Sequence, residues 1–172
     1  MTTTTEPAPT LDYRFSEPGA DATSWADTVA LLETAELYWL TTVRADGRPH
    51  VTPVVAVWHD NAIYFTTAPI EQKMRNMEAN PEVVVTTGVA TWVKGLDVVV
   101  EGDVHVITDV EHLQRLTSVF DAKYDDDRGW NLEVTDIGEA RVANHPAVVL
   151  RVVPTKVFAF AKDPHTQTRF KF

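Results

Sequence analysis

The apolar positions of this chain switch between a period of two and a period near 3.6, and each switch marks a predicted element. From Thr23 and Ser24, which can cap a helix, Trp25, Val29, Leu31 and Leu32 recur at helical spacing and predict an amphipathic helix ending near Glu36. LYWLTTVR and PHVTPVVAVW then turn to β-branched and aromatic residues, with Asp46-Gly47 between them as a hairpin signal, so two antiparallel strands follow. Asp60-Asn61 separates Trp58 from AIYFTT, which extends the meander to a third strand in the simple order 1-2-3.

After Pro69, the positions Ile70, Met74 and Met77 stand at i, i+4 and i+7, which predicts a short helix with one buried face, ended by Pro81. EVVVTTG and LDVVVEGDVHVIT give two more strands, with Gly95 marking a turn and Gly102 a bulge or bend. TDVEHLQRLTSVFDAKY predicts a further helix, opened by Thr108 or Asp109 and turning Val110, Leu113, Leu116, Val119 and Phe120 inward, with the acidic run after it as a solvated turn. Residues Trp130 to Asn144 carry mixed signals and predict no element. PAVVLRVVPTKVFAFAK returns to β character, with Pro154 at a strand edge or bulge, and the closing TQTRFKF is expected to dock, since an aromatic and basic terminus otherwise frays.

About six strands and three helices without βαβ alternation predict a mainly β fold, an antiparallel barrel with α-helices, the first helix covering one opening. The opening MTTTTEPAPT lacks a period and reads as a mobile tail over 1–10, leaving 11–172 as a single domain. That stretch is long enough for one real core.

Composition narrows the chemistry. Lys and Arg number 15 against 25 Asp and Glu, a net charge of -10, which argues against a nucleic-acid binder working through a broad basic surface. Cysteine is absent, so disulfides, thiolate metal sites and a Cys nucleophile are excluded. No apolar run approaches the ~20 residues of a membrane span and the first residues carry no leader pattern, so a soluble, cytoplasmic protein without integral membrane contact is expected. The six histidines form no HxH, HxxH or HExxH, so metal binding is not expected. Neither GxGxxG nor GxxxxGK[ST] is present, which leaves a Rossmann site and a P-loop without support.

The junction YFTTAPIEQKMRN collects the candidate chemistry, because it gathers two hydroxyls, an amide and two cations at the start of a helix, where amides favour an anion. Thr66 and Thr67 alternate faces, so only one need meet a ligand; Lys73 offers a point charge and Arg75 a planar fork. The same residues also fit an ordinary helix surface, with Glu71 and Arg75 as i, i+4 partners and Lys73 solvated. Trp92, in a loop between Gly88 and Gly95, can cover a flat ring system or simply pack.

Taken in order, WLTTVRADGRPHVTPVVAVW, YFTT, EQKMRN, NP, TTG, GLDVVVEG, PTKVFAF and TRFKF resemble the pyridoxamine 5'-phosphate oxidase-like superfamily over about residues 25 to 172. Within it the sequence is most similar to the flavin/deazaflavin oxidoreductases of the actinobacterial B group, many of which use coenzyme F420. The resemblance implies a split β-barrel of the FMN-binding-protein type, homodimeric, with two cofactor sites at the subunit interface. It implies a ring system lying along Thr52 to Val57, against Pro53, Val54 and Val55, and a phosphate met by Thr66 or Thr67, Lys73, Gln72 and Arg75. Trp92 and Arg169 match positions that approach the cofactor or substrate cavity from the other subunit. Two departures stand out: Ile70 replaces a glycine common in related sequences, and the tail reads RFKF where many read RWRF.

The implied activity is an oxidoreductase, an F420H2-dependent reductase that passes a hydride from the deazaflavin C5 to an unsaturated or conjugated small molecule. The cofactor supplies the hard chemistry, so no catalytic side chain is assigned. An FMN-dependent oxidase or reductase uses the same phosphate-end residues, and a cofactor or small-molecule carrier without turnover uses the same motifs. The glutamyl tail of F420 calls for further cations, for which Arg44, Arg48 and Lys94 are available.

Overall fold

A computed structural model describes residues 6–124 and 130–172. The acidic run predicted as a solvated turn, residues 125–127, lies outside the described residues. The elements are β1 (Thr10–Leu11), α1 (Trp25–Thr34), β2 (Tyr38–Val43), β3 (Pro49–Val54), β4 (Ala56–His59), β5 (Ala62–Thr67) and α2 (Gln72–Ala79), then β6 (Glu82–Gly88), β7 (Leu96–Val106), α3 (Val110–Tyr124), β8 (Leu132–Val134), β9 (Ala140–Val142), β10 (His145–Lys162) and β11 (His165–Lys171).

Local chemistry sets the hairpins. Gly47, at φ 82°, takes the left-handed position in the β2–β3 turn, and Asp60 and Asn61, at φ 47° and 56°, form the left-handed pair that joins β4 to β5. The second predicted strand is not continuous: it breaks at Val55, so that β3 pairs with β2 while β4 pairs with β5. The sheet order is β1-β11-β10-β7-β6-β2-β3, and β5 joins it by pairing with β10 as well as with β4. The bent β3–β4 segment thus belongs to both ends of the sheet, and the interrupted ladder at Val55 makes the barrel a split one.

Three features raise the strand count above the six predicted. The break at Val55 adds β4, residues 130–144 form the hairpin β8–β9, and the two chain ends pair as β1 and β11. The mixed signals of 130–144 reflect strands of only three residues each, too short to show a period. The predicted docking of the C-terminus holds: β11 pairs with β10 and β1, and Phe170 is fully buried.

β10, 18 residues long, organises the barrel. On one edge it pairs with β5 through Val148–Val152 and with β11 through Lys156–Lys162; along Leu150–Ala161 it also pairs with β7. Pro154 falls between the two partners of the first edge, where a missing N–H costs least, and the register slips by one residue between Pro154 and Lys156. Opposite the slip stands Gly102, where an added Cβ would lie 2.3 Å from the Val153 carbonyl oxygen.

The interior splits into two apolar clusters. Tyr38, Leu40, Ile63, Phe65, Val85 and Val100 are among those filling the barrel, with Trp25 of α1 edge-on to Trp58 and Phe170. Tyr64, Val149, Leu113, Leu116 and Phe120 form the second, beneath α3. β5 lies between them, so Ala62–Phe65 are all buried, which explains its unbroken run of apolar residues. α1 begins as predicted, with the Ser24 hydroxyl accepting from Asp27 N at 3.0 Å, and α3 with the Asp109 carboxylate accepting from His112 N at 2.7 Å.

The end of α3 clamps the strand break. Tyr124 Oη accepts from Ala56 N at 3.2 Å and donates to Ala56 O at 2.7 Å, and Lys123 Nζ donates to the same carbonyl at 3.0 Å while facing the rings of Tyr38 and Tyr124. Burial pushes the Lys123 ammonium down to about 8. Among the described residues, no helix is long and apolar enough to cross a membrane.

Two outcomes follow from these contacts. Gly102→Ala forces backbone apart at the slip and should lower stability by about 1–3 kcal/mol, read as a lower urea midpoint at unchanged slope. For Lys123, the folded value lies below the ordinary 10.5, so the folded state disfavours the charged form. That penalty is fully present below pH 8 and is relieved as pH rises from 8 towards 10.5, where the unfolded chain still holds its proton. Thermal melts between pH 7 and 10 should therefore show the native protein gaining stability relative to Lys123→Met; a constant difference would refute the assignment.

Candidate functional site

The candidate site grows from the way α2 docks. Met74 and Met77 are buried as predicted, and Asn76, on the same helix, is 1% exposed. Its amide donates to Thr42 Oγ1 on β2 at 2.8 Å and accepts from Gln72 Nε2 at 2.8 Å; Thr42 Oγ1 in turn lies 3.5 Å from His50 Nδ1 on β3. These neutral bonds lock the first turn of α2 onto the β2–β3 hairpin.

Ile70 departs from the prediction. The helix starts at Gln72 after an extended Glu71 (φ -72°, ψ 152°), so Ile70 falls outside the helical period and is 80% exposed in the turn before it.

Within that turn three side chains converge. The buried Thr67 at the end of β5 donates its hydroxyl to Glu71 Oε2 at 2.8 Å, and the same oxygen pairs with Lys73 Nζ. The Lys73 side chain is only 11% exposed, and burial pushes its ammonium below the ordinary lysine range. His50 is also pushed down, first by burial and then by the charges of Arg44 and Lys73. A hydroxyl and a shielded ammonium therefore meet at one carboxylate oxygen, and this corner holds an oxyanion.

The structure thus brings Thr67 and Lys73 together at Glu71, turns the neighbouring Gln72 amide to Asn76, and leaves other candidates apart. Thr66 points to the opposite face of β5 and is half-buried; Arg75 is exposed, and Glu71 faces Thr67 and Lys73 rather than Arg75. On β3, Val54 faces the barrel interior, Pro53 is exposed on the outer face, and Val55 sits at the break. Thr52 Oγ1 is buried without a hydrogen-bond partner. Arg48 pairs with Asp46 in the β2–β3 turn at 2.5 Å.

Trp92 is 93% exposed on the loop between β6 and β7 and lines a cleft with Phe160, Lys162 and His165. The Lys162 ammonium holds that loop by donating to the Val89 and Thr91 carbonyls and pairing with Asp97. Arg169 lines a second cleft with Asp12 and Phe158, and its Nε is buried without a partner. Pro53, Trp39, Thr86, Val99, Phe158 and Arg169 are successive register partners across the sheet. They form one row on the outer face, and at ~4.8 Å per strand its five spacings make a path of about 24 Å along the curved sheet from Pro53 to Arg169.

Asn76, Thr42 and His50 escaped sequence reasoning because nothing local links residues 34 positions apart; the alternation of β2 puts Thr42 on the inner face but does not reveal its partner. Glu71 carried a signal, its position four before Arg75, that pointed to the wrong cation. Among the described residues, no cluster of His, Asp and Glu could hold a metal ion.

Comparison with known proteins agrees with this architecture. Solved structures that share the fold include a conserved hypothetical protein from Mycobacterium tuberculosis, 20% identical, covering 81% of this chain and 86% of that one with a TM-score of 0.65. The FAD binding protein from Mycobacterium smegmatis is 19% identical, covering 87% and 98%, with a TM-score of 0.55. A protein described as an F420 reductase is 27% identical, covering 74% and 93%, with a TM-score of 0.53. No curated protein sequence matches the chain. The pyridoxamine 5'-phosphate oxidase family model matches residues 25–161, from the first turn of α1 to the end of β10, and the chain belongs to that family.

Proposed function

We propose that the protein is an F420H2-dependent reductase of unsaturated or conjugated small molecules, working as a homodimer with its cofactor sites between subunits. The observation that carries this reading is the oxyanion corner of Thr67 and Lys73. The Glu71 carboxylate already bonded there is a stand-in for a phosphate oxygen, so the donor set fits the phosphate end of a flavin-type cofactor. The 27% identity to an F420 reductase supports deazaflavin over FMN within the family.

In this reading Thr67, Gln72 and Lys73 take the phosphate, with Arg75 reaching it from the rim, while Thr66, on the opposite face of β5, takes no part. Pro53, on the outer face, and Val55, at the break, back the ring system, with Val54 packed beneath them in the barrel interior. When bound, the reduced deazaflavin supplies a hydride from C5. The chain binds, orients and shields the cofactor.

The interface follows from the row on the outer face. Pro53 and Arg169 lie five strand spacings apart along one chain's sheet, whereas a second copy laid across the face brings its own Trp92 and Arg169 to the first copy's β3. That face exposes Trp39 and Val51, 48% and 53% exposed, apolar area that a partner covers.

Fluorescence titrations with F420 and FMN at equal salt test the cofactor: tighter F420 binding is expected, and the reverse order moves the protein to the FMN class. Lys73→Ala should weaken F420 binding by roughly 1.5–3 kcal/mol with melting little changed; unchanged affinity removes the phosphate site. In sedimentation equilibrium the native chain is expected as a dimer and Trp39→Glu as a folded monomer with impaired cofactor binding. A dimeric Trp39→Glu places the interface elsewhere.

A further inference from the structure

Glu71 is chemically odd for a phosphate corner. Its carboxylate takes the two donors that a ligand phosphate needs, the Thr67 hydroxyl at 2.8 Å and the Lys73 ammonium, and it does so from the extended residue just before α2. The side chain is 42% exposed against 11% for Lys73, so it is the partner free to swing into solvent. Around it, Gln72, Asn76 and Thr42 are neutral, Arg75 is exposed at the rim, and the charge of Arg44 reaches the corner's edge at His50.

We infer that Glu71 is a specificity residue that makes this corner accept a singly charged phosphodiester and discriminate against a doubly charged phosphomonoester. The inference rests on the cofactor reading above. An incoming anion displaces the Glu71 carboxylate from Thr67 and Lys73 but keeps it as a near neighbour. Attraction to Lys73 and repulsion from Glu71 are both linear in the ligand's charge and largely cancel. The desolvation cost of entering the corner rises with the square of that charge, so nothing offsets the heavier penalty on a dianion.

The two candidate cofactors differ in this property. F420 joins its ribityl chain to its lactyl tail through a phosphodiester with one negative charge. FMN ends in a phosphomonoester, whose charge at pH 7 is about -1.5 to -2. Glu71 therefore turns a corner that would hold either phosphate into one that favours the deazaflavin.

Glu71→Gln keeps the size and the hydrogen bond to Thr67 while removing the charge. Dissociation constants for F420, FMN and riboflavin are measured on the native protein and on this variant, with circular dichroism to check the fold and Glu71→Ala as the second variant. The expected result is FMN tightening about tenfold, F420 only about threefold, and riboflavin, which lacks phosphate, unchanged. Equal tightening of FMN and F420, or an unchanged ratio of FMN to riboflavin, overturns the inference. If the native protein binds FMN and riboflavin but not F420, the deazaflavin reading fails while the FMN-to-riboflavin ratio still tests Glu71. A titration with inorganic phosphate, followed at the backbone amides of Thr67 and Gln72 by NMR, covers the case in which no cofactor binds. Amides that respond in Glu71→Gln and not in the native protein support the inference, and silence in both overturns it.

Discussion

The architecture depends on one close backbone approach, that of Gly102 to Val153. Without a Cβ at residue 102, β10 can slip its register beside Pro154 and exchange β5 for β11 on the same edge while keeping β7 on the other. That exchange sends β5 inward, where it takes up β4, and it leaves the chain end to pair on the outside as β11. The bend at Val55 answers it from the opposite side, and α3 holds the bend through Tyr124 and Lys123 on Ala56. A barrel with two pinned distortions can support a site at its seam, because strands on either side of each distortion face different partners.

The same geometry explains where charge can be used. β5 ends with Thr67 buried, and α2 is seated by Met74 and Met77 and by the Asn76–Thr42 bond, so the first turn of the helix has little freedom. Lys73 is drawn out of water by this seating rather than by any preference of its own. A shielded ammonium needs an anion, and the chain supplies Glu71. The electrostatics of the corner are thus a consequence of helix docking, and the chemistry that a ligand meets there is set by a competition within the chain.

The outer face carries the complementary constraint. Exposed Trp39 and Val51 stand beside Pro53, while Arg169 and Trp92 belong to the far side of the sheet. Arg169 and Trp92 line clefts of their own, away from Pro53, and this separation is the geometric basis for the proposed dimer.

Much of the fold was legible in the chain. Alternation in YWLTTV and EVVVTTG, the Asp46-Gly47 and Asp60-Asn61 turns, the Ser24 cap and the Pro154 bulge act over a few residues, and each appears where its local chemistry puts it. The helix register of α2 failed at Ile70, since a period of three points cannot say whether the first lies inside the helix. The break at Val55 and the β8–β9 hairpin were invisible because no local propensity marks them; they exist to satisfy β5, α3 and β10. For the site, the sequence by itself determined which donors lie near the Glu71 corner, because Thr67, Gln72 and Lys73 are neighbours along the chain. Only the tertiary structure decided their states: that Lys73 is shielded, that Glu71 turns to it instead of Arg75, and that Pro53 and Arg169 are strands apart. Burial and long-range pairing, which fix charge and distance, are properties of the packed chain and of no segment within it.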